Sequence, residues 1–346
     1  MNANDSDVLL EIEGLRKYFP IQKGFFRKTV GYVKAVDDVN LRVRRGEVLG
    51  VVGESGCGKT TLGRCLVRVY DPTGGNILLR TTEGELPAMD MSGEQMRQFR
   101  RSVQMIFQDP YASLNPRMNV LETVGEPLKV NHLANGRELE DRVAKVIQQV
   151  GLRVEHLRRY PHSFSGGQRQ RIGIARALVV NPELVIADEP VSALDVSIQA
   201  QILNLLKDLQ EQNNLTYIFV SHNMAVIRYI SDRIAVMYAG KLVELGPKLQ
   251  LLNQPRHPYT ELLLAAVPRA TDRRMGHRKL TTGEPPDLAR LPSGCVFRTR
   301  CPYASERCAE EEPQLREIEP GHHVSCHFAE DLTLQGVAPR VKALEQ

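Results

Sequence analysis

No stretch of this sequence approaches the ~20 consecutive apolar residues needed to span a bilayer; Leu262 to Val267 is typical of its longest runs. The opening residues, Met1 to Asp7, are polar and acidic. They lack the basic segment followed by an apolar one that marks a secretory signal. Charge of one sign is not in excess either. Lys plus Arg number 45 and Asp plus Glu 41, leaving +4 over 346 residues. That removes any global electrostatic argument for nucleic acid or an anionic membrane as partner. There is no internal repeat. What is present is ordinary for a soluble globular chain: 25% charged and 42% hydrophobic residues, which excludes a wholly disordered protein. The length suggests about two domains.

Six cysteines divide unevenly. Cys57 and Cys65 lie early, while Cys295, Cys301, Cys308 and Cys326 crowd the C-terminal end. Without a secretory signal, reduced thiols are expected, which favours metal ligation over disulfides.

Along the chain, Val8 to Ile12 and Val33 to Val43 read as strands, separated by an exposed basic-aromatic hairpin, Gln22 to Lys28. From Val48 onward, short apolar runs alternate with helical patterns. The runs are Val48–Val52, Val103–Phe107, Leu184–Ala187 and Tyr217–Val220. Helices are expected over Arg137–Val150 and Ser197–Gln212, and after Gly167, where Ile172, Ala175, Leu178 and Val179 share a face. Such alternation points to an α/β fold with a mostly parallel sheet and helices on both faces. Arg233 to Leu245, interrupted at Ala239-Gly240, reads as a closing hairpin. After about residue 250 the sequence turns irregular and rich in proline: Pro255, Pro258, Pro268, Pro285, Pro286 and Pro292. Arg269, Arg273, Arg274, Arg278 and Lys279 form a basic run there, read as a solvated linker. A boundary is expected near 250.

Gly53-Glu54-Ser55-Gly56-Cys57-Gly58-Lys59-Thr60 matches the phosphate-binding loop G-x-x-x-x-G-K-[ST]. The glycines let backbone N–H groups curl around phosphates without Cβ clashes. Lys59 reaches the terminal phosphates, Thr60 offers its hydroxyl to Mg²⁺, and Thr61 continues into a helix. The apolar strand at Leu184 ends in Asp188-Glu189-Pro190. Asp188 is placed for the Mg²⁺ shell and Glu189 to polarise a water toward the γ-phosphate. Ser165-Gly166-Gly167-Gln168 begins a helix, and such an N-terminus suits an anion. Gln108 and His222 each follow a strand end.

This ordered set, with Ser192-Ala-Leu-Asp195 between the carboxylates and His222, resembles an ABC-type ATPase over about residues 8–250. The resemblance implies an antiparallel N-terminal β subdomain, a helical signature subdomain and a head-to-tail pair of such domains with ATP at their interface. One copy's phosphate loop would face Ser165, Gly166, Gly167 and Gln168 of the other. It further implies that His222 contacts the γ-phosphate, that Gln108 joins the catalytic and Mg²⁺ shell, and that Asp195 links the two sites. Phe19, with Tyr18 in reserve, would stack on adenine. Phe164 stands where Leu is commoner in the signature, a mild departure.

The four late cysteines are spaced Cys295-x5-Cys301-x6-Cys308-x17-Cys326. Four thiolates suit Zn²⁺ or an iron–sulfur cluster, and spacing leaves both open, although no Cys-x2-Cys knuckle is present. Gly246-Pro247, His257-Pro258-Tyr259-Thr260 and Cys-x-Phe-x-x-Arg-Cys-Pro resemble the C-terminal extension of oligopeptide and dipeptide importer ATPases. In that subgroup the four-cysteine segment is associated with a 4Fe-4S cluster, with Zn²⁺ the alternative. His322, His323 and His327 are nearby and are candidate alternative ligands, but read first as solvated surface residues. The N-terminal stretch Tyr18 to Phe26 with Val30 to Val36 resembles the F-type ATPase of such systems. The implied organisation is an ATPase domain over 8–250, an extension with the four-Cys site over 251–330 and a tail over 331–346.

The implied activity is ATP hydrolysis powering uptake of di- or oligopeptides. The implied partners are two membrane-spanning permease subunits, a second homologous ATPase and an extracytoplasmic peptide-binding protein, with no direct nucleic-acid binding. The implied location is the cytoplasmic face of the membrane, as a peripheral subunit. The alternatives are a soluble ABC ATPase acting on DNA or ribosomes, which usually carries coiled-coil insertions or tandem domains not seen here, and an ABC ATPase for another solute.

Overall fold

The computed structural model describes residues 7–266, 284 and 286–337. The basic run from Arg269 to Lys279, Pro268, Pro285 and the end of the expected tail lie outside the described residues.

Two long strands come first, β1 (Val8–Lys23) and β2 (Lys28–Arg44). In β2, Val39, Leu41 and Val43 are buried while Asn40, Arg42 and Arg44 face out, the alternation of a half-buried strand. The turn between β1 and β2 carries Phe25 and Phe26, 97% and 93% exposed, as the basic-aromatic pattern predicts. The fully buried β3 (Val48–Val52) runs into the phosphate loop and α1 (Lys59–Leu66). The hairpin β4 (Gly74–Thr81) and β5 (Gly84–Pro87) follows, then α2 (Gly93–Ser102) and β6 (Val103–Ile106). Three helices, α3 (Val120–Val130), α4 (Gly136–Gln149) and α5 (Gly166–Leu178), lead to β7 (Leu184–Asp188). Next come α6 (Val196–Asn213), β8 (Thr216–Ser221), α7 (Met224–Ile230), β9 (Arg233–Tyr238) and β10 (Lys241–Pro247). The chain ends with α8 (Lys248–Asn253), α9 (Pro258–Ala265), α10 (Arg307–Glu310), β11 (Arg316–Glu319) and β12 (His322–Val324).

These elements form two compact units. The first comprises Met1–Glu13, Leu41–Val48 and Gly63–Val220. Here β6, β7 and β8 pair in parallel, with Val103 opposite Leu184 and Leu184 opposite Thr216. Helix α4 buries Leu139, Val143, Val146 and Ile147, the one-faced stripe of an amphipathic helix. It packs with α3 and α5. Helix α5 is buried on more than the face its pattern predicts: Ile174 and Ala177 are inside along with Ile172 and Ala175.

The second unit comprises Gly14–Asn40, Leu49–Leu62 and Ser221–Gln346. Its sheet runs β11-β12-β10-β9-β3. Only β3 and β9 are parallel, with Leu49 opposite Arg233; the remaining pairs are antiparallel. The sheet architecture is therefore mixed, a correction to the mostly parallel expectation. Its reason lies after residue 250, where the sequence suggested irregular chain. Among the described residues that region supplies helices α9 and α10 and strands β11 and β12, and Glu244 of β10 pairs with Val324 of β12. Short hairpin strands between prolines leave too brief an alternation to be seen in sequence.

Candidate functional site

The phosphate loop emerges from β3 with its glycines where side chains cannot go. A Cβ at Gly53 would overlap the Met237 carbonyl oxygen. Gly58, at φ +108, has the Ala35 carbonyl oxygen in the same relation. The loop is tied further by the Gly240 N–H, which donates to the Cys57 carbonyl at 2.9 Å. Lys59 is buried, 4% exposed, and its ammonium donates to the carbonyls of Gly53 and Glu54, both at 2.8 Å. Thr60 and Thr61 begin α1 half-buried, and Ser55 and Gly56 are exposed. Cys57 is buried, and burial pushes its thiol up.

Glu54 is held on every side. Its main-chain N–H donates to the Tyr259 phenol oxygen at 2.8 Å. Its carboxylate accepts a two-pronged pair of hydrogen bonds from Arg300, at 2.7 and 2.9 Å. These bonds raise the Arg300 guanidinium further above its ordinary value. Tyr238, Tyr259 and Phe297, all fully buried, pack around this pair with ring centroids 4.5–5.5 Å apart.

In the same unit, Tyr18 donates its phenol to Asp37, and burial pushes it up to about 12. Phe19 is half-buried, with the Lys17 ammonium 5.1 Å from its ring centroid. His222 is exposed just beyond β8, before Asn223 caps α7.

The other unit carries the carboxylates. Asp188 is the buried last residue of β7. Glu189 follows in the left-handed region, φ +45, a conformation that costs a non-glycine residue on the order of 1 kcal/mol or more. Its N–H donates to the Val220 carbonyl at 2.9 Å, and its carboxylate accepts from the Gln108 amide at 3.1 Å. Two side chains 81 residues apart, predicted for one site, are thus brought together. Ser165 caps α5 reciprocally: its hydroxyl accepts from the Gln168 N–H at 3.3 Å and its own N–H donates to the Gln168 side chain at 3.0 Å. Gly166 and Gly167 form the first turn, and the Phe164 ring is buried behind them. Asp195 stands exposed at the N-cap of α6.

Cys295, Cys301, Cys308 and Cys326 line one small cavity, with His257 and His327 at its wall. All four are free thiols. Burial pushes Cys301 up to about 12 and Cys326 up to about 11, and raises Cys295. Among the described residues, no group of three or more His, Cys, Asp or Glu is gathered as a cage for a single metal ion. The expectation that His322 is a solvated surface residue is overturned. Its ring is fully buried, with Nε2 2.8 Å from the Glu244 carboxylate, because β12 carries it into the sheet beside β10. His257 is also buried. Its Nδ1 accepts from the Tyr259 N–H at 3.1 Å as the cap of α9, and burial pushes the ring down to about 3.

The family description "ABC transporter" matches residues 36–192, and "Oligopeptide/dipeptide transporter, C-terminal region" matches 243–308. The chain is 50% identical over 331 residues to the oligopeptide transport ATP-binding protein AppF of Bacillus subtilis, covering 95% of this chain and 99% of that one. The chain belongs to the oligopeptide-transporter branch of the ABC ATPases. It is also 46% identical to the probable peptide ABC transporter ATP-binding protein y4tS of Sinorhizobium fredii, covering 98% of this chain and 95% of that one. A solved structure of the ATP-binding cassette MJ0796, a dimer in a post-hydrolysis state bound to ADP and Pi, matches with a TM-score of 0.60 and 27% identity. It covers 69% of this chain and 99% of that one. The fold is therefore that of an ABC ATPase cassette, and the chain is an ATPase of that family. Among the described residues, no helix is long and apolar enough to cross a membrane.

Within this ABC ATPase, Tyr259 and Arg300 belong to short motifs that by themselves point to no role at the phosphate loop. They stand 205 and 246 residues from Glu54. Residue type offered the only signal: a tyrosine and an arginine in an otherwise loop-like extension.

Proposed function

We propose that this chain is the ATP-hydrolysing subunit of an importer for di- or oligopeptides, working at the cytoplasmic face of the membrane. Two membrane-spanning permease subunits, a second ATPase and an extracytoplasmic binding protein would complete it. The reading rests above all on the joint match of an ABC ATPase segment and an oligopeptide-transporter extension within one chain. Its relatives named for oligopeptide or peptide transport, similar over nearly their whole length, support the substrate class. Residues 8–250 would serve as the nucleotide-binding domain and 251–330 as the extension that marks the peptide branch.

In this reading Lys59 leaves its two carbonyl partners to meet the terminal phosphates of ATP, and residues 53–61 wrap the phosphate chain with backbone N–H groups. Thr60, Asp188 and Gln108 would hold Mg²⁺, whose chemistry is to neutralise developing phosphate charge. Glu189 orients and deprotonates the attacking water, held toward it by Gln108. His222 steadies the γ-phosphate, Phe19 stacks on the adenine, and Ser165, Gly166, Gly167 and Gln168 close on the nucleotide bound by the partner ATPase. Asp195 links the two sites. Catalysis is then mostly positioning and charge stabilisation.

Glu189→Gln removes the base but keeps the amide contact with Gln108. Turnover in the reconstituted transporter should fall by roughly 10²–10⁴-fold while ATP binding persists. Near-normal turnover in that variant would reject the assignment.

The four cysteines are the proposed ligands of a 4Fe-4S cluster, which would supply structural cross-linking to a segment with little core of its own. What supports this is the donor set alone: four thiols line one cavity, and four thiolates suit such a cluster, with Zn²⁺ the alternative. An anaerobic preparation assayed for iron, acid-labile sulfide and zinc should return about four irons and four sulfides per chain. Stoichiometric zinc without iron would overturn the cluster.

A further inference from the structure

We propose that Arg300 and Tyr259, side chains of the C-terminal extension, are positioning residues for the phosphate loop, and that Arg300 also masks the charge of Glu54 from an incoming polyphosphate. The inference rests on the reading of the loop around Lys59 as the ATP site.

Glu54 is the first variable residue of the loop, and three of its groups are occupied at once. The carbonyl takes the Lys59 ammonium, the N–H meets the Tyr259 phenol, and the carboxylate meets the Arg300 fork. The start of the loop is thereby fixed in position and in direction. An exposed ion pair would contribute little. This one is different, because the Arg300 side chain is 7% exposed and that of Glu54 27%, and the fork is bidentate.

Arg300 is itself held. Its N–H donates to the Phe297 carbonyl at 3.0 Å, one turn back in the loop between Cys295 and Cys301. Its guanidinium lies 5.8 and 5.9 Å from the ring centroids of Tyr238 and Phe297. The cysteine segment thus presents one cation, rigidly, to one carboxylate of the phosphate loop.

The sign of the electrostatics makes this more than a fastening. A phosphate loop receives a polyanion, and an unpaired carboxylate in that loop opposes it. With Arg300 in place, Glu54 contributes anchoring without net repulsion. With Arg300 removed, the carboxylate stays and the anchor is lost. A purely structural pair has no such asymmetry: loss of either partner would weaken the fold and nothing else.

The test measures Mg-ATP affinity of the full chain by titration calorimetry, with thermal unfolding of the nucleotide-free protein recorded in parallel. Arg300→Gln should weaken ATP binding about tenfold, which is 1.4 kcal/mol. Glu54→Gln alone should weaken it no more than threefold. The double variant Arg300→Gln/Glu54→Gln should bind ATP better than Arg300→Gln, because the repelling charge is gone. Tyr259→Phe, which keeps the buried ring, should weaken binding about threefold with little change in unfolding temperature.

Arg300→Gln binding within twofold of the parent, or a double variant no better than Arg300→Gln, would overturn the masking role. Tyr259→Phe with unaltered affinity would overturn the positioning role. Should Arg300→Gln fail to fold, Arg300→Lys, which keeps the charge without the fork, decides: affinity must fall less than threefold. A parent chain that binds no Mg-ATP would refute the ATP-site reading and not the clamp.

Discussion

The two units solve the same problem by different means. In the unit carrying Glu189, secondary structure itself places the proposed site residues: β7 delivers Asp188 at its end, and the capping box at Ser165 fixes the first turn of α5. In the unit carrying the phosphate loop, strand and helix only bracket the loop, and the groups that hold it come from distant chain. Ala35, Met237, Gly240, Tyr259 and Arg300 all press on or bond to residues 53–58. A site made from element ends tolerates local change better than one made from converging segments, because fewer parts must arrive together.

That contrast is sharpest at Gly58. A methyl group there meets backbone and also demands a left-handed conformation, so Gly58→Ala should weaken ATP binding by about 100-fold, measured by titration. Gly56→Ala is the control: φ is +79 but the space around it is open, so its loss should be much smaller. Equal losses would place the cost in backbone conformation alone and erase the role of converging segments.

Next in size is Glu244, which is fully buried in the phosphate-loop unit. It accepts from the N–H groups of Arg256 and His257 at 2.8 and 3.1 Å and lies 2.8 Å from His322 Nε2. Glu244→Ala strands the buried His257 N–H, the part-buried Arg256 N–H and a ring nitrogen, and should destabilise that unit by about 2 kcal/mol in denaturant unfolding. A change below about 1 kcal/mol would show that the C-terminal segments are held by other contacts.

The smallest effect belongs to the first unit. Ser165→Ala removes one half of a capping box and should cost about 1 kcal/mol in unfolding, with α5 otherwise intact. A cost as large as that at Glu244 would break the contrast between the two ways of building.

The same contrast explains what could be read from the residues. The parallel strands, α4, α5 and α6 were legible because hydrophobic periodicity is local. The Gln108–Glu189 contact was legible only as two members of an ordered motif set, with no distance attached. Tyr259 and Arg300 were not legible as loop-holders, since nothing local in a sequence says that residue 300 meets residue 54. The burial of His322 was missed for a related reason. Three residues of strand flanked by glycine and polar positions carry no usable alternation, and only pairing with β10 turns the ring inward. The proposed roles of the phosphate-loop residues were fully written in the motif, because its glycines and lysine have few other uses in that order.

The pairing of β12 with β10 also bears on how this chain can be cut. Leu242, Val243 and Leu245 are buried in β10, and β12 and β11 cover its outer side. A chain ended after residue 250 would keep every signature motif, yet it would present β10 as an open, apolar sheet edge. Such an edge is a template for pairing with another chain. With β12 in place that edge is paired, and a cassette trimmed to its nucleotide-binding motifs should be the form that precipitates.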